Sequence, residues 1–305
     1  MSKFKTKKRK GGLMTSTSDR VFYITVSTIV TLYVLSILYP LIYIVSSSFS
    51  SGTAVSDGKV LLWPVDFSLK GYEMVFNYKA VWTGYANTLF YTIGRTIVLM
   101  TQVTLVAYVL SRKTFQARKF FTMICVFSMW FSGGLIPSYI LISSLGLNNS
   151  RWGYLIMGSM NITYVIIMRT YFQTAIPGEM LESARIDGVS DVQYLTKIAL
   201  PLSKPVLSVI TLYHIVGEWN NYFGPMIYLR PTELHPLQLV LRRILEASQM
   251  DLTMVSDAEL ASQAAQMGDV LKYGLIVVST VPMLCLFPFV QKFFNKGVMM
   301  GALKG

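Results

Sequence analysis

This chain of 305 residues has few charged residues, since only 14% of it is Asp, Glu, Lys or Arg. A soluble domain carries about 25% of these residues, so the deficit indicates a protein that lies in lipid. Cysteine is also scarce: Cys125 and Cys285 lie in separate apolar runs, and no CxxC occurs. With only two histidines, far apart, the sequence excludes a disulfide framework and a Cys/His zinc site.

Catalytic sets are missing as well. No G-x-x-x-x-G-K-[ST] phosphate-binding loop occurs, so the chain is not expected to hydrolyse ATP itself. Glu182 and Asp187 lie about 140° apart around a helix and do not converge as a general acid–base pair. We therefore expect no catalytic residue, no bound metal and no cofactor held by this chain.

The net charge of +12 does not indicate nucleic acid, since much of it lies in the N-terminal run KFKTKKRK. No basic stripe interleaved with aromatic residues follows, so nucleic acid is not expected as a partner. A basic end beside an apolar segment is typical of a cytoplasmic anchor that faces anionic lipid.

Six apolar stretches reach the length of about 20 residues that a helix needs to cross a bilayer. They are approximately 20–48, 84–110, 120–143, 152–172, 206–228 and 270–294. The sequence predicts an all-α membrane protein with six transmembrane helices, the first too long for a cleaved signal peptide. Most of the 27 Lys and Arg residues fall on the side of the N-terminus, so the positive-inside rule predicts both termini in the cytoplasm.

A single membrane domain at 20–296 is expected, between a basic cytoplasmic tail at 1–19 and a cytoplasmic tail at 297–305. Two external segments are long, at 50–83 and 225–269. In the second, PLQLVLRRILEASQ has the apolar spacing of a helix that lies against the membrane or another subunit. Ser256, with Glu259 three residues later, has the pattern of a capping box.

The most polar stretch of the middle of the chain lies between the fourth and fifth spans, on the predicted cytoplasmic side. A short helix is expected to start near Pro177 and to stop at Gly188, because Gly adopts the left-handed conformation at low cost. Asp191 is the expected cap of a second helix, which ends at Pro201. The prediction is two short amphipathic helices joined at a sharp bend, over about 177–204.

This stretch resembles the EAA loop of ABC-importer permeases, in which E-A-A is followed by Gly and later by I-x-L-P. The matching positions are Glu182, Ser183, Ala184, Gly188, Ile198, Leu200 and Pro201, with Ser183 where Ala is usual. NTLFYTIGRT, FSGGLIPSYILISSLGLNNSRW, GEWNNYF and the ending GVMMGALKG extend the likeness over residues 20–305. The chain is similar to the carbohydrate-uptake branch, close to the complex-oligosaccharide permeases of Gram-positive bacteria.

The resemblance implies the type I ABC-importer permease fold and a non-catalytic subunit that forms half of a pathway for carbohydrate, expected to be an oligosaccharide. The loop would be the coupling helix, which docks on an ATPase through Glu182, Ser183, Ala184, Asp187, Gly188, Ile198, Leu200 and Pro201. Glu182 would pair with a basic residue, while Ala184 and Gly188 would permit close approach. A capped, solvated loop that merely connects two spans is the alternative.

The resemblance also implies the other subunits. They are a second, homologous permease in a heterodimer, two cytoplasmic ATPase subunits that bind the ATP and Mg, and an extracellular substrate-binding lipoprotein. The multi-pass chain would lie in the lipid bilayer of the bacterial plasma membrane.

Polar residues inside the spans are candidates for the substrate path, since ionisable groups in a membrane usually face the protein interior. Amides suit sugar hydroxyls and aromatic rings suit the apolar faces of sugars. The candidates are Arg95, Glu218, Trp219, Asn220, Asn221 and Tyr222. Hydrogen bonding between helices, without substrate contact, is the alternative for all of them and the interpretation given to His214.

Two other classes of protein remain open from the residues alone. A membrane-embedded enzyme acting on lipid-linked sugars would need acidic or metal-binding residues that converge at the membrane surface. An ion-coupled secondary carrier would favour inverted repeats and broken helices with buried acids. Only the importer requires a tightly bound ATPase.

Overall fold

A computed structural model describes residues 17–158, 160–250, 268–285 and 288, and its regular elements are helices. In the first half they are α1 (Thr17–Ser48), α2 (Gly52–Ser56), α3 (Lys70–Asn77), α4 (Lys79–Ser111), α5 (Arg118–Trp130), α6 (Leu135–Ser144), α7 (Arg151–Ile156) and α8 (Ile162–Thr174). Then follow α9 (Gly178–Ile186), α10 (Asp191–Tyr194), a π-helical turn (Leu195–Ala199), α11 (Leu200–Leu202), α12 (Lys204–Trp219), α13 (Phe223–Tyr228), a 3₁₀ turn (Thr232–Leu234), α14 (Leu237–Met250) and α15 (Gly268–Cys285). The N-terminal run KFKTKKRK, the Ser256–Glu259 pattern and the 297–305 tail lie outside the described residues.

The helix α4 is the element against which most of the long helices after it pack. Towards its end, Leu99 and Val103 are buried against Val165 and Met168 of α8, and this cluster continues into the polar loop described below. Small and β-branched side chains on α4 allow this close packing, which stabilises the fold through contact between well-fitting surfaces.

Contacts along α4 show which way α7 and α8 run. Trp152 at the start of α7 packs edge-on against Phe90, with ring centroids 5.7 Å apart. Further along, the Nε of Arg169 in α8 donates to the carbonyl of Leu110 at 3.1 Å. Residue numbers rise together in both partners, so α7 and α8 form one path parallel to α4, with a break between Ile156 and Ile162.

The path of α12 and α13 runs in the opposite direction. The hydroxyl of Tyr171, near the end of α8, donates to the carbonyl of Leu202 just before α12, at 3.2 Å. Beyond α13, the Nδ2 of Asn87, near the start of α4, donates to the carbonyl of Glu233 at 2.7 Å. The chain therefore passes from the end of α4 back towards its beginning.

The first and last long helices are fixed at the same end of the molecule, where α4 begins. The Ser48 hydroxyl at the end of α1 lies 2.8 Å from that of Tyr72 in α3. The hydroxyl of Tyr85 in α4 donates to the carbonyl of Val278 in α15. Apart from its last turns, α1 leaves its apolar side chains exposed, which in water would be very costly.

Among the described residues, three helices are long and apolar enough to cross a membrane: α1, α4 and α15. The number rises to five if each of two bent pairs is one span, namely α5 with α6, bent by 116°, and Asp191–Leu202 with α12, bent by 79°. The expectation of continuous helices at 120–143, 152–172 and 206–228 is therefore wrong, because each is interrupted. The interruptions follow Trp130, Ile156 and Trp219, where Gly and Asn residues are frequent.

The apolar face of α14 packs within this chain. Leu237 and Leu239 are buried, and Leu237 lies in a cluster with Val81 of α4 and Leu275 of α15. The expectation that this helix lies against the membrane or another subunit is thus corrected for its buried face. Folding α14 onto α4 removes from solvent a stripe that the sequence alone left without a partner.

A close approach of α3 and α15 depends on Gly71. A Cβ atom at this position would lie 2.7 Å from the carbonyl oxygen of Val270, which is backbone and cannot turn aside. Helix pairs in membranes use small residues in this way to bring their backbones together.

Replacing Gly71 with Ala should destabilise the protein, because α3 and α15 must separate to admit the methyl group. Overpacking of this kind costs about 1–3 kcal/mol. Gly217→Ala is the matched control, since no atom lies within 4 Å of its Cβ position. Thermal unfolding of the purified complex should show a lower midpoint for Gly71→Ala alone; equal midpoints would contradict the tight crossing.

Candidate functional site

The polar loop forms a helical hairpin that turns at Gly188. The helix α9 begins after Pro177 and ends at Ile186, and Gly188 has φ = +77°, in the left-handed region. The N–H of Val189 then bonds to the carbonyl of Ala184 at 2.9 Å, which closes the end of the helix. The predicted stop at Gly188 is confirmed, and any residue with a Cβ atom would be strained there.

The second arm of the hairpin is capped by Ser190, so the expectation of Asp191 as the cap is wrong. The Ser190 hydroxyl accepts from the N–H of Gln193 at 3.3 Å, while the Gln193 side chain accepts from the N–H of Ser190 at 3.1 Å. This reciprocal pair is a capping box, in which Gln at the third position satisfies a second free N–H.

This arm also continues past Pro201, contrary to the expected end. It runs from Asp191 to Leu202 with the π-helical turn just before Pro201, then bends by 79° into α12. In a regular α-helix the Pro201 ring would clash with the carbonyl of Lys197, and a widened turn relieves such contacts. The hairpin is therefore joined to α12 without a flexible linker.

The predicted coupling residues divide by exposure. Glu182, Ser183, Asp187, Gly188 and Pro201 are exposed, Ile198 and Leu200 are half-buried, and Ala184 is only 5% exposed. The small side chain of Ala184 is used inside this chain, where it packs in a cluster with Tyr194 and Leu195. The expectation that Ala184 itself permits close approach of a partner is corrected accordingly.

The hairpin is anchored to the end of α4 by groups that the sequence reasoning missed. The Tyr108 hydroxyl donates to the carbonyl of Asp191 at 3.2 Å. The guanidinium of Arg112 lies over two rings, 4.0 Å from the centroid of Tyr108 and 4.9 Å from that of Tyr194. Arg112 directly follows α4, in the basic run SRKTFQARKF. Its stacking between two tyrosines holds the hairpin against α4.

A buried ion pair joins the middle of α4 to the end of α12. The Nε of Arg95 lies 3.0 Å from Oε1 of Glu218, and their side chains are only 8% and 9% exposed. The Nε–H makes no well-directed hydrogen bond, so the contact is one of charge. His214, one turn before Glu218, has a buried Nε2 atom without a hydrogen-bond partner in the described part of the chain.

Arg95 also closes the break between α7 and α8. Its Nη1 donates to the carbonyls of Tyr154 and Met157, the latter at 2.9 Å, and its guanidinium lies 4.6 Å from the Tyr154 ring centroid. A broken helix leaves carbonyls free, and inside a membrane these must be bonded by protein. Arg95 therefore donates hydrogen bonds to carbonyls at the break between α7 and α8. Its positive charge neutralises the buried carboxylate of Glu218.

The remaining path candidates lie at the second break, between α12 and α13. Trp219 is only 3% exposed, and its indole N–H donates to the carbonyl of Ser279 in α15 at 3.1 Å. Asn221 links the break to α7, since its Nδ2 donates to the Tyr154 hydroxyl at 3.2 Å. Asn220 is exposed, and Tyr222 is 38% exposed. The buried members of the group, Trp219 above all, are thus placed to pack helices together, which favours the alternative interpretation for them.

Removing one charge of the ion pair should be more harmful than removing both. Glu218→Gln leaves Arg95 buried without its counter-charge, and breaking such a pair costs about 3–5 kcal/mol. Arg95→Met combined with Glu218→Gln should recover part of this loss in thermal unfolding of the assembled complex. Lys59→Gln, which breaks an exposed ion pair with Asp57, is the control and should leave the midpoint unchanged. Additive effects of the two buried substitutions would contradict direct pairing.

Comparison with known proteins gives close relatives over almost the whole chain. The chain is 34% identical over 288 residues to the polygalacturonan/rhamnogalacturonan transport system permease protein YtcP of Bacillus subtilis (strain 168), covering 94% of this chain and 99% of that protein. It is 25% identical over 273 residues to the arabinooligosaccharides transport system permease protein AraQ of Halalkalibacterium halodurans, covering 88% and 91%. No protein-family model matches the chain.

A solved structure has the same fold. It is a chain of a bacterial ABC transporter involved in the import of the acidic polysaccharide alginate, with a TM-score of 0.83 and 38% sequence identity. The match covers 92% of this chain and 99% of that one. The expected fold family and the non-catalytic transport role are confirmed, and an ATPase and a binding protein are implied as partners. This all-helical integral membrane protein belongs to the family of permease subunits of carbohydrate ABC importers.

Proposed function

We propose that the chain crosses the bacterial plasma membrane six times, with both termini and the α9–α11 hairpin in the cytoplasm. The breaks divide three of the six passes into half-helices, one pass each for α5 with α6, α7 with α8, and α12 with α13. The tails at 1–19 and 297–305 would then both be cytoplasmic, and the long segment at 225–269 external.

The direction of the helices supports this count. Because α7 and α8 run parallel to α4, the chain between Ser111 and Arg151 has to return to the opposite end of the molecule. Only α5 and α6 lie in that interval, which favours a complete pass over a re-entrant loop. The excess of Lys and Arg at the hairpin end favours the cytoplasm for that end.

Thiol labelling tests the orientation. With Cys125 and Cys285 replaced by Ser, we expect Ser190→Cys to react with a membrane-impermeant maleimide only in inverted vesicles. Ser56→Cys, exposed in the loop after α1, should react only in intact cells. The opposite pattern would contradict the orientation and the docking proposal that depends on it.

The hairpin is proposed to dock on a cytoplasmic ATPase subunit. The observation that supports this proposal is the firm attachment of the hairpin to α4 and α12. Glu182 is exposed on α9, while α10 is stacked on α4 through Tyr108 and Arg112 and continues directly into α12. A push on this surface would therefore be transmitted to the span that carries Glu218. In the complete importer a second permease as heterodimer partner, two ATPase subunits that bind the ATP and Mg, and a substrate-binding lipoprotein complete the assembly.

Gly188→Val should weaken attachment of the ATPase, because valine is strained at φ = +77° and the hairpin must reshape. Gly58→Val is the matched control, since Gly58 also has a positive φ of 68° but lies in the loop after α1. We expect the ATPase to co-purify with Gly58→Val and to be reduced with Gly188→Val, at equal membrane insertion. Full transport and attachment in Gly188→Val would refute the role of this turn.

The cargo is proposed to be an oligosaccharide that passes the break between α12 and α13. Asn220 and Tyr222 are the exposed groups there, an amide for hydroxyls and a ring for the apolar face of a sugar. Two of the similar proteins carry names that refer to acidic polysaccharides, which makes uronic-acid oligosaccharides the first to test.

Tyr222→Ala and Asn220→Ala should reduce uptake while leaving the complex intact, since each lost contact costs about 1 kcal/mol or more. Uptake is measured in vesicles that contain all subunits, with oligogalacturonides compared with arabino-oligosaccharides. Trp219→Ala is expected to lower stability instead, through loss of its contact with Ser279. Unchanged uptake in both exposed variants would remove this break from the path.

A further inference from the structure

A basic cleft lies where the turn between α4 and α5 meets the end of α8 and the start of α9. Its volume is about 470 Å³, and Glu182 is the one carboxylate among the described residues that line it. Five cationic side chains line it: Arg112, Lys113, Arg118, Arg169 and Arg185. The helix α9 forms one wall of the cleft, and this wall includes Glu182, which also belongs to the exposed face of the hairpin.

These cations are poorly neutralised by the chain itself. The side chains of Lys113 and Arg118 make no hydrogen bond or ion pair with any described residue. The Nε of Arg112 is buried and lacks a hydrogen-bond partner among them. Arg185 has an acidic partner in Asp191, but at 3.6 Å and between exposed side chains. A concentration of unpaired positive charge at one place indicates an anionic ligand.

An apolar groove of about 680 Å³ begins at the same place. It shares Arg118 and Arg169 with the cleft and extends along α5. Its other lining residues recur at helical spacing and are mostly apolar: Lys119, Thr122, Met123, Val126, Phe127, Trp130 and Phe131. With 13 residues α5 is about 20 Å long, close to the depth of one leaflet of a bilayer whose core is about 30 Å thick.

We propose that the cleft and the groove together bind one anionic phospholipid from the cytoplasmic leaflet. The phosphate lies among Arg112, Lys113 and Arg118, and an acyl chain lies along the apolar face of α5. Basic pockets between transmembrane helices on the cytoplasmic side favour anionic head groups. A free phosphate would use the cleft without the groove, and a protein partner would cover the groove without needing the charges. The assignment of the lipid to the cytoplasmic leaflet depends on the orientation proposed above, whereas the site itself does not.

The test uses the complete transporter with its ATPase, purified from bilayers that contain phosphatidylglycerol and phosphatidylcholine. Native mass spectrometry counts the phosphatidylglycerol molecules that the assembled complex retains. Arg118→Gln should lower this retention about fivefold, as expected for the loss of one cation beside a phosphate. Arg20→Gln, the same substitution in α1 near its predicted cytoplasmic end, lines neither feature and should retain lipid as the unaltered protein does.

A second variant tests the groove separately. Val126→Trp keeps every cation but fills the groove, so it should also displace phosphatidylglycerol. Equal losses of phosphatidylglycerol in Arg118→Gln and Arg20→Gln would mean that only the general surface charge matters, and they would contradict a specific site. Loss of phosphatidylglycerol in Arg118→Gln but not in Val126→Trp, with displacement by inorganic phosphate, would mean that the cleft binds an anion and that the groove holds no acyl chain. If the unaltered complex retains no lipid while the ATPase is attached, protein covers the groove and the lipid site is wrong. If the ATPase does not co-purify, that result contradicts the proposed docking function and not the lipid site.

Discussion

The contacts of Arg95 are the constraint on which the arrangement of the helices depends. A guanidinium in the middle of α4 is costly in a membrane unless it is paired with an opposite charge and with backbone carbonyls. The guanidinium of Arg95 forms an ion pair with Glu218. Its Nη1 donates to the carbonyls of Tyr154 and Met157, which the break between α7 and α8 would otherwise leave free. The Arg95 side chain therefore stabilises two features that would each be costly in a membrane: the buried carboxylate of Glu218 and the break between α7 and α8. Without Arg95, a single continuous helix in place of α7 and α8 would be the more stable structure in lipid.

The same residue connects the interior of the membrane with the polar hairpin. The helix α12 ends at the pair with Glu218 and begins directly after the hairpin, with a bend of 79° but no linker. The hairpin is stacked in turn on the other end of α4, through Arg112 between Tyr108 and Tyr194. The two anchors lie on one long helix, so a force on the hairpin reaches the half-helix break near Asn220 through packed elements. This is a physical basis for the coupling that we propose between a cytoplasmic ATPase and a pathway in the membrane.

The sequence was sufficient for features that depend on composition and local conformation. The apolar runs predict helices, and Gly188 predicts the turn, because both follow from neighbouring residues. The breaks were not predictable in the same way, since the run 152–172 is mostly apolar despite Gly158 and Asn161, and its interruption depends on Arg95, far away in sequence. The packing of Trp219 on Ser279 and of α14 on α4 was missed for the same reason. A polar residue that satisfies a distant carbonyl leaves no periodic signal in a single chain.

The central claim is that the face of α9 around Glu182 contacts the ATPase. Site-specific cross-linking tests it most directly, with a photo-activatable reagent on Glu182→Cys in the assembled transporter, after Cys125 and Cys285 are replaced by Ser. The same reagent on Ser56→Cys provides the comparison at the other end of the molecule. We expect a covalent adduct with the ATPase subunit from position 182 and none from position 56. An active complex that gives no adduct from position 182, or gives one from position 56, would contradict it.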